Sequence, residues 1–183
     1  MKKDPHLLNR LDYILAVMRE TLRLQPPAST IRVGSKDVVL RHPDTGAALP
    51  TEGMMLWAVD TGFGRSEAYW PDAAAFKPER YLDGGGWNKD AWIPFSKGVR
   101  NCIGQELAIL ESKVILAITL REFDVEVAFG EVEKLRGDGT PYPCDTTGVQ
   151  EQFGEEMYQI QLGTAKPREG MPCRVKSRMG GVG

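Results

Sequence analysis

From Leu7 to Leu24 apolar residues recur at helical spacing, with Leu7, Leu11, Ile14, Leu15, Met18 and Leu22 on one stripe. The stripe predicts an amphipathic helix, for which Asp4 offers an N-cap and Pro5 a first-turn residue. Pro26 and Pro27 end it, since neither can donate a backbone hydrogen bond. Residues 30–60 change period: "TIRVGSKDVVL" and "MMLWAVD" read as short strands on either side of the turn-rich "RHPDTGAALPTEG", and together they predict a small sheet. Residues 61–101, rich in Gly, Pro, Trp and Asp, carry short helical pieces at most and predict a long meander, ordered throughout or partly mobile. A loop of that length inside a compact domain is usually functional. From Gly104 to Leu120, "GQELAILESKVILAITL" is the clearest helix, with Leu107, Leu110, Val114 and Ala117 or Ile118 at threes and fours. Its remaining positions are apolar enough to predict burial on most sides. The strand "EFDVEVAF" follows, then a polar loop, then "EMYQIQLG" and "MPCRVKS" around "TAKPREG", which predict a terminal hairpin. The class is α+β, mainly α, with no internal repeat.

Composition narrows the function. The 183 residues are 42% hydrophobic and 26% charged, ordinary for one globular domain with a real core. A net charge of -2 and the lack of any block of like charge argue against nucleic acid as a partner. No run of about eighteen apolar residues occurs, and "MKKDPHLLNR" lacks the apolar stretch of a signal peptide. The expectation is a chain that, as given, neither spans a membrane nor enters the secretory route. Cys102, Cys144 and Cys173 are odd in number and widely spaced, against a disulfide framework; with no CxxC pair, and only His6 and His42 to help, a structural zinc is not expected either.

Cys102 stands at the mouth of the predicted long helix, where unpaired backbone N–H groups and the positive end of the helix dipole favour a thiolate. Arg100 adds positive charge, and Gly98 and Gly104 let a flat or bulky group approach the backbone. Such a thiolate suits a metal cofactor that carries acidic groups. Two other readings stand beside it: a buried small hydrophobe, the commonest state of a free cysteine, or a nucleophile, which needs a base that neither histidine supplies nearby in sequence.

The stretch "FSKGVRNCIG" resembles the haem-binding signature of the cytochromes P-450, the haem-thiolate monooxygenases, with Phe95, Gly98, Arg100, Cys102 and Gly104 filling its five fixed places. "ETLR" at Glu20–Arg23 is similar to the family's Glu-x-x-Arg helix and "FKPERYL" at Phe76–Leu82 to its Pro-Glu-Arg segment, in family order. The resemblance implies that residues 1–183 form the C-terminal haem-binding portion of a P-450 domain: Glu-x-x-Arg helix, small β-sheet, meander, Cys loop, long helix and terminal β-hairpin. It also implies that the N-terminal half, with the oxygen-activating helix and a membrane anchor, is absent, so that no catalytic residue of that helix is assigned here.

By the same resemblance, Cys102 is the axial ligand of the iron of haem b, Phe95 packs beside the sulfur, and the backbone N–H groups at Ile103 and Gly104 bond to it. Arg100 and Arg32 pair with haem propionates. Arg32 otherwise reads as a solvated strand charge, and Lys97 as an exposed lysine or one facing the electron donor. Glu20, Arg23 and Arg80 form an interior triad, although Glu20 and Arg23 alone, opposite the apolar stripe, read as a surface bridge worth a few tenths of a kcal/mol. Substrate contacts fall to Ala28, Ser29, Thr30 and Ile31 and to Leu162, Gly163 and Thr164. The implied partners are O2, an NADPH-cytochrome reductase or similar electron donor, and a small lipophilic substrate, with the endoplasmic reticulum membrane as the place of a full-length relative. The "PDTG" insertion and the "YQIQLGTAKPREGMP" ending resemble fungal members, among them fatty-acid and alkane hydroxylases. Gly64 departs from the family where many members carry histidine. The expectation for the isolated chain is poor folding and no coupled hydroxylation. Two alternatives remain: a truncated haem-binding fragment or gene-model remnant, and a non-haem structural domain whose motifs are accidental.

Overall fold

The computed structural model describes residues 5–82, 87–128, 131, 159–162, 164–167 and 170–178. The expected N-cap Asp4, the substrate-segment Gly163 and the cysteine Cys144 lie outside the described residues.

The predicted first helix is divided. A 3-10 turn, Pro5–Arg10, precedes helix α1, Asp12–Leu24. The break lies at Leu11, whose φ of -89° and ψ of 57° are not helical and whose side chain offers no cap. α1 ends at Gln25, where the chain meets Pro26, because the residue before proline is driven out of the helical region.

After α1 come strands β1 (Thr30–Val33), β2 (Val39–Arg41), β3 (Ala48–Pro50) and β4 (Met55–Ala58). The expected single sheet is two antiparallel pairs, β1 with β4 and β2 with β3. Sequence reading placed β3 in a turn, since three residues flanked by Gly, Pro and Thr show no alternation. The two strand pairs meet at Gly34 and Thr51, where a Cβ on Gly34 would stand 1.8 Å from the Thr51 carbonyl oxygen. The buried Thr51 hydroxyl donates to the Val38 carbonyl at 2.7 Å and accepts the Ser35 N–H at 3.1 Å.

The meander opens with a short helix α2, Asp60–Gly64, and contains two 3-10 turns, Pro78–Tyr81 and Gly98–Arg100. Its core is Trp70, Ala73 and Ala91, fully or nearly fully buried, with Tyr81, Trp87 and Trp92 packed around them. Trp70 and Trp87 stack at 6.4 Å and 13°, and Tyr81 meets Trp87 edge-on at 5.0 Å. This aromatic knot packs on α1 and orders the meander.

Helix α3, Gln105–Glu122, runs close to the predicted span, but the expected burial on most sides is corrected: only Lys113 is buried on it. Leu107, Leu110, Ile115, Ile118 and Leu120 are exposed. An evenly apolar surface has no single face to turn inward, and within this chain α3 meets the N-terminal 3-10 turn, α1 and the strand that follows it. The terminal pairing is also corrected. β5 (Phe123–Val127) pairs antiparallel with β8 (Cys173–Ser177), and the middle segment makes its own hairpin, β6 (Gln159–Leu162) with β7 (Thr164–Pro167). Val125 stands opposite Val175 and Val127 opposite Cys173, so β8 finds an apolar match on β5, while β6 is taken up by β7.

Candidate functional site

Glu20 and Arg23 sit one turn apart on α1 and are almost wholly buried, at 0% and 2% exposure. The isolated reading as a surface bridge is corrected by the meander, which covers them. Arg23 grips Glu20 through two parallel bonds, Nε to Oε2 and Nη2 to Oε1, both 2.8 Å. Arg80 Nε adds a bond of 3.1 Å to Oε1, the Lys77 backbone N–H one of 2.8 Å, and the Tyr81 hydroxyl one of 3.1 Å to Oε2. Burial pushes the Glu20 carboxyl up, but the bonds from Arg23 and Lys77 and the two guanidinium charges outweigh it and hold the group below its ordinary value. Burial, and then the Glu20 charge, pushes the Tyr81 phenol up.

Arg23 also ties the meander down through main-chain carbonyls, donating to Gly64, to Ala73 at 2.7 Å and to Ala75 at 3.0 Å. Both guanidinium groups lie over the Trp70 ring, Arg23 at 5.2 Å and Arg80 at 5.9 Å. Gly64 acquires a reason here: a Cβ on it would stand 2.0 Å from the Arg23 carbonyl oxygen, so only glycine lets α2 close on the end of α1. Beside it Asp60 is buried, its Oδ1 without a hydrogen-bond partner among the described residues, and burial pushes its carboxyl up to about 6.

The Cys102 loop is shaped by its own backbone. Ser96 at φ 62° and Gly98 at φ 69° turn the chain, and the Cys102 N–H returns to the Phe95 carbonyl at 2.9 Å. The Cys102 carbonyl then accepts the Gln105 N–H at 3.3 Å, which starts α3. The buried-hydrophobe reading of Cys102 does not survive: it is a free, exposed thiol. Val99 and Ile103 on either side are fully exposed. Arg100 is exposed and has no hydrogen-bond or ion-pair partner among the described residues. Lys97 is taken up locally, donating to Asp90 Oδ1 at 2.8 Å and to the Lys89 carbonyl at 2.7 Å. Gly104 leaves the sulfur uncovered, since a Cβ there would stand 3.9 Å from Sγ.

This donor set fits haem. A single soft thiolate is the protein ligand that iron in such a site needs. The apolar shoulders of Val99 and Ile103 suit a flat apolar macrocycle, and the free Arg100 suits its acidic edge. Phe95 is half-buried, its ring 6.0 Å from that of Trp92. Arg32 is exposed on β1 and donates to the neighbouring Ile31 carbonyl at 2.9 Å; among the described residues no hydrogen bond or ion pair joins it to the Cys102 loop.

The two segments expected to contact substrate are brought near each other. The Ala165 N–H in β7 donates to the Pro27 carbonyl at 2.7 Å, next to Ala28, and Gln159 reaches Thr61 at 3.4 Å. Ala28 and Ile31 are exposed, Ser29 and Thr30 half-buried, and Thr164 is exposed opposite Leu162. Sequence reading missed Tyr81, Trp92 and the Lys77 N–H. Tyr81 directly follows Arg80, and Trp92 lies three residues before Phe95. A tyrosine directly beside a triad arginine is the signal that could have marked Tyr81; Trp92, between Ala91 and Ile93, has no such neighbour.

The cytochrome P-450 family model matches residues 4–139. A cytochrome P-450 monooxygenase of Polytolypa hystricis, polC, is 38% identical over 179 residues, covering 96% of this chain and 31% of its own. A second, acrF of Aspergillus aculeatus, is 35% identical over 198 residues, covering 97% of this chain and 39% of its own. The chain thus spans about a third of the length of the curated relatives it matches. Among solved structures, a cyanobacterial cytochrome P-450 with bound retinoic acid shares the fold at a TM-score of 0.68 and 21% identity, over 93% of this chain and 33% of that one. A second P-450 haem domain does so at 0.70. The family match runs through both the Glu20–Arg23 helix and the Cys102 loop, and this chain belongs to the cytochrome P-450 family.

Proposed function

We propose that this chain is the haem-binding portion of a haem-thiolate monooxygenase, in which Cys102 would hold the iron of haem b. The observation that carries the reading is the exposed thiol on a backbone-fixed loop between Val99 and Ile103. Bound there, haem supplies activation of O2 with electrons from a reductase or similar donor, for insertion of one oxygen atom into a small lipophilic substrate.

The chain's own residues do the holding. Cys102 presents the thiolate, and its backbone bond to Phe95 fixes where the sulfur stands. Among the described residues the N–H groups of Ile103 and Gly104 have no backbone acceptor, which leaves them available to tune the sulfur. Arg100 and Arg32 would bind the propionates. Glu20, Arg23 and Arg80 fix the meander on α1. Ala28–Ile31 and the β6–β7 turn present the substrate-facing wall; their proximity through Ala165 and Pro27 supports this. Turnover belongs, in this reading, to a family-length protein in the endoplasmic reticulum membrane; among the described residues no helix is long and apolar enough to cross a membrane.

The test is a reduced, CO-bound difference spectrum of the chain expressed with haem supply, beside Cys102→Ser. A red-shifted, thiolate-type Soret band that the serine variant lacks is the expected result. Haem bound without that band, or the same band in both, overturns the assignment of Cys102.

A further inference from the structure

The segment that carries Cys102 is joined to the rest of the molecule by few polar contacts. Within residues 91–104, hydrogen bonds close the loop on itself or on residues 88–90 and the start of α3, with one exception among the described residues. That exception is the Trp92 indole, whose Nε1–H donates to the Arg19 carbonyl at 3.0 Å. Arg19 lies inside α1, directly before Glu20, and its carbonyl stands 3.5 Å from the Tyr81 hydroxyl oxygen. The same Trp92 ring packs on Phe95 at 6.0 Å and 52°, and the Phe95 carbonyl holds the Cys102 N–H at 2.9 Å. A short path therefore runs from the helix bearing the triad to the thiol: Arg19 carbonyl, Trp92, Phe95, Cys102.

We propose that Trp92 is a positioning residue that fixes the Cys102 loop to α1 and so sets where the thiolate is presented. Its two ends do different work. The indole N–H fixes the segment along α1, and the ring fixes Phe95 and hence the carbonyl that orients Cys102. The Tyr81 hydroxyl, which donates to Glu20 Oε2 at 3.1 Å, lies beside the same carbonyl, so the triad and the loop share one reference point. A phenylalanine in place of Trp92 keeps one ring against Phe95 but removes the donor and part of the indole's packing area, while the Arg19 carbonyl keeps its place in the helix.

The proposal deepens the assignment of Cys102 to haem, and its test has a readout that needs no haem. Amide hydrogen exchange is followed at Cys102 and along α3 in the chain without haem, for the wild type and for Trp92→Phe. Exchange at Cys102 is expected to rise about fivefold, the factor a net hydrogen bond is worth, with the α3 amides unchanged. Trp92→Leu, which loses the ring contact as well, should raise it further. Unchanged exchange at Cys102 in Trp92→Phe overturns the proposal. A uniform rise at every amide also overturns it, because Trp92 is then a core residue and nothing more. With haem supplied, Trp92→Phe should convert from the thiolate-type to a non-thiolate CO spectrum severalfold faster on mild warming, at equal haem content; equal rates again overturn the proposal. If the wild type gives no thiolate-type band, it is the haem assignment that fails, and the exchange result still decides whether Trp92 holds the loop.

Discussion

Arg23 makes five hydrogen bonds, two to a carboxylate and three to carbonyls, and its planar fork is what allows this. Arg23→Lys keeps the charge but not the fork, and should cost about 3 kcal/mol or more of unfolding free energy in urea, since several buried acceptors lose their partners. A loss below about 1 kcal/mol would mean that the fork is not what holds the meander. Gly64→Ala should be damaging for a steric reason, by about 1–3 kcal/mol or more. Asp60 and Glu20 give opposite pH dependences. The Glu20 carboxyl lies below its ordinary value when folded, so its contribution is present above the unfolded value of 4.5 and is lost as the solution is acidified further. Asp60 is raised from 3.8 to about 6, so the folded chain binds the extra proton and stability falls as pH rises from about 4 to about 6. Asp60→Asn should remove that fall and exceed the wild type by about 1–3 kcal/mol at pH 7, measured by urea titration at pH 5 and pH 7. A parallel pH dependence in both chains would show that Asp60 is solvated. The Cys102 loop was legible in the sequence because its determinants, two turn-making positions and a cysteine before a helix, are local. The roles of Tyr81 and Trp92 were not, because their acceptors lie 61 and 73 residues away in the chain.

The elements show the same division between local and distant causes. α1 stops where Pro26 requires it, and α3 starts where the Cys102 carbonyl takes the Gln105 N–H, both readable from neighbouring residues. The partner of β8 was not readable: β5 stands some fifty residues upstream, and two apolar strands with turn residues between them look like a hairpin from sequence alone. The burial of α3 was misjudged because apolar composition says what a helix can bury, not what stands next to it. Its exposed positions should therefore be tolerant. Ile115→Gln should change the unfolding free energy by no more than about 0.5 kcal/mol, whereas Met18→Ala, on the buried side of α1, should cost about 2–5 kcal/mol. Equal losses at both sites would show that Ile115 is packed.

For the molecule as a whole, the core lies between α1 and the meander, and three of its tryptophans, Trp70, Trp87 and Trp92, belong to that knot while Trp57 is exposed. Tryptophan fluorescence and far-ultraviolet circular dichroism should lose signal at the same urea concentration, because α1 and the knot form one packed unit. Separate midpoints would show that α1 keeps its helix after the meander lets go. The contacts of Glu20 and Arg23 close spans of 41 to 61 residues, at an entropic cost of about 3–4 kcal/mol for a loop near sixty residues, repaid only when the set is complete. Every member of that set, from Glu20 to Tyr81, and the Arg19–Trp92 bond beside it, precedes Cys102 in the chain. A polypeptide made from its N-terminus thus has every residue of the support synthesised before the thiol, so the mount for Cys102 needs nothing from the chain that follows it.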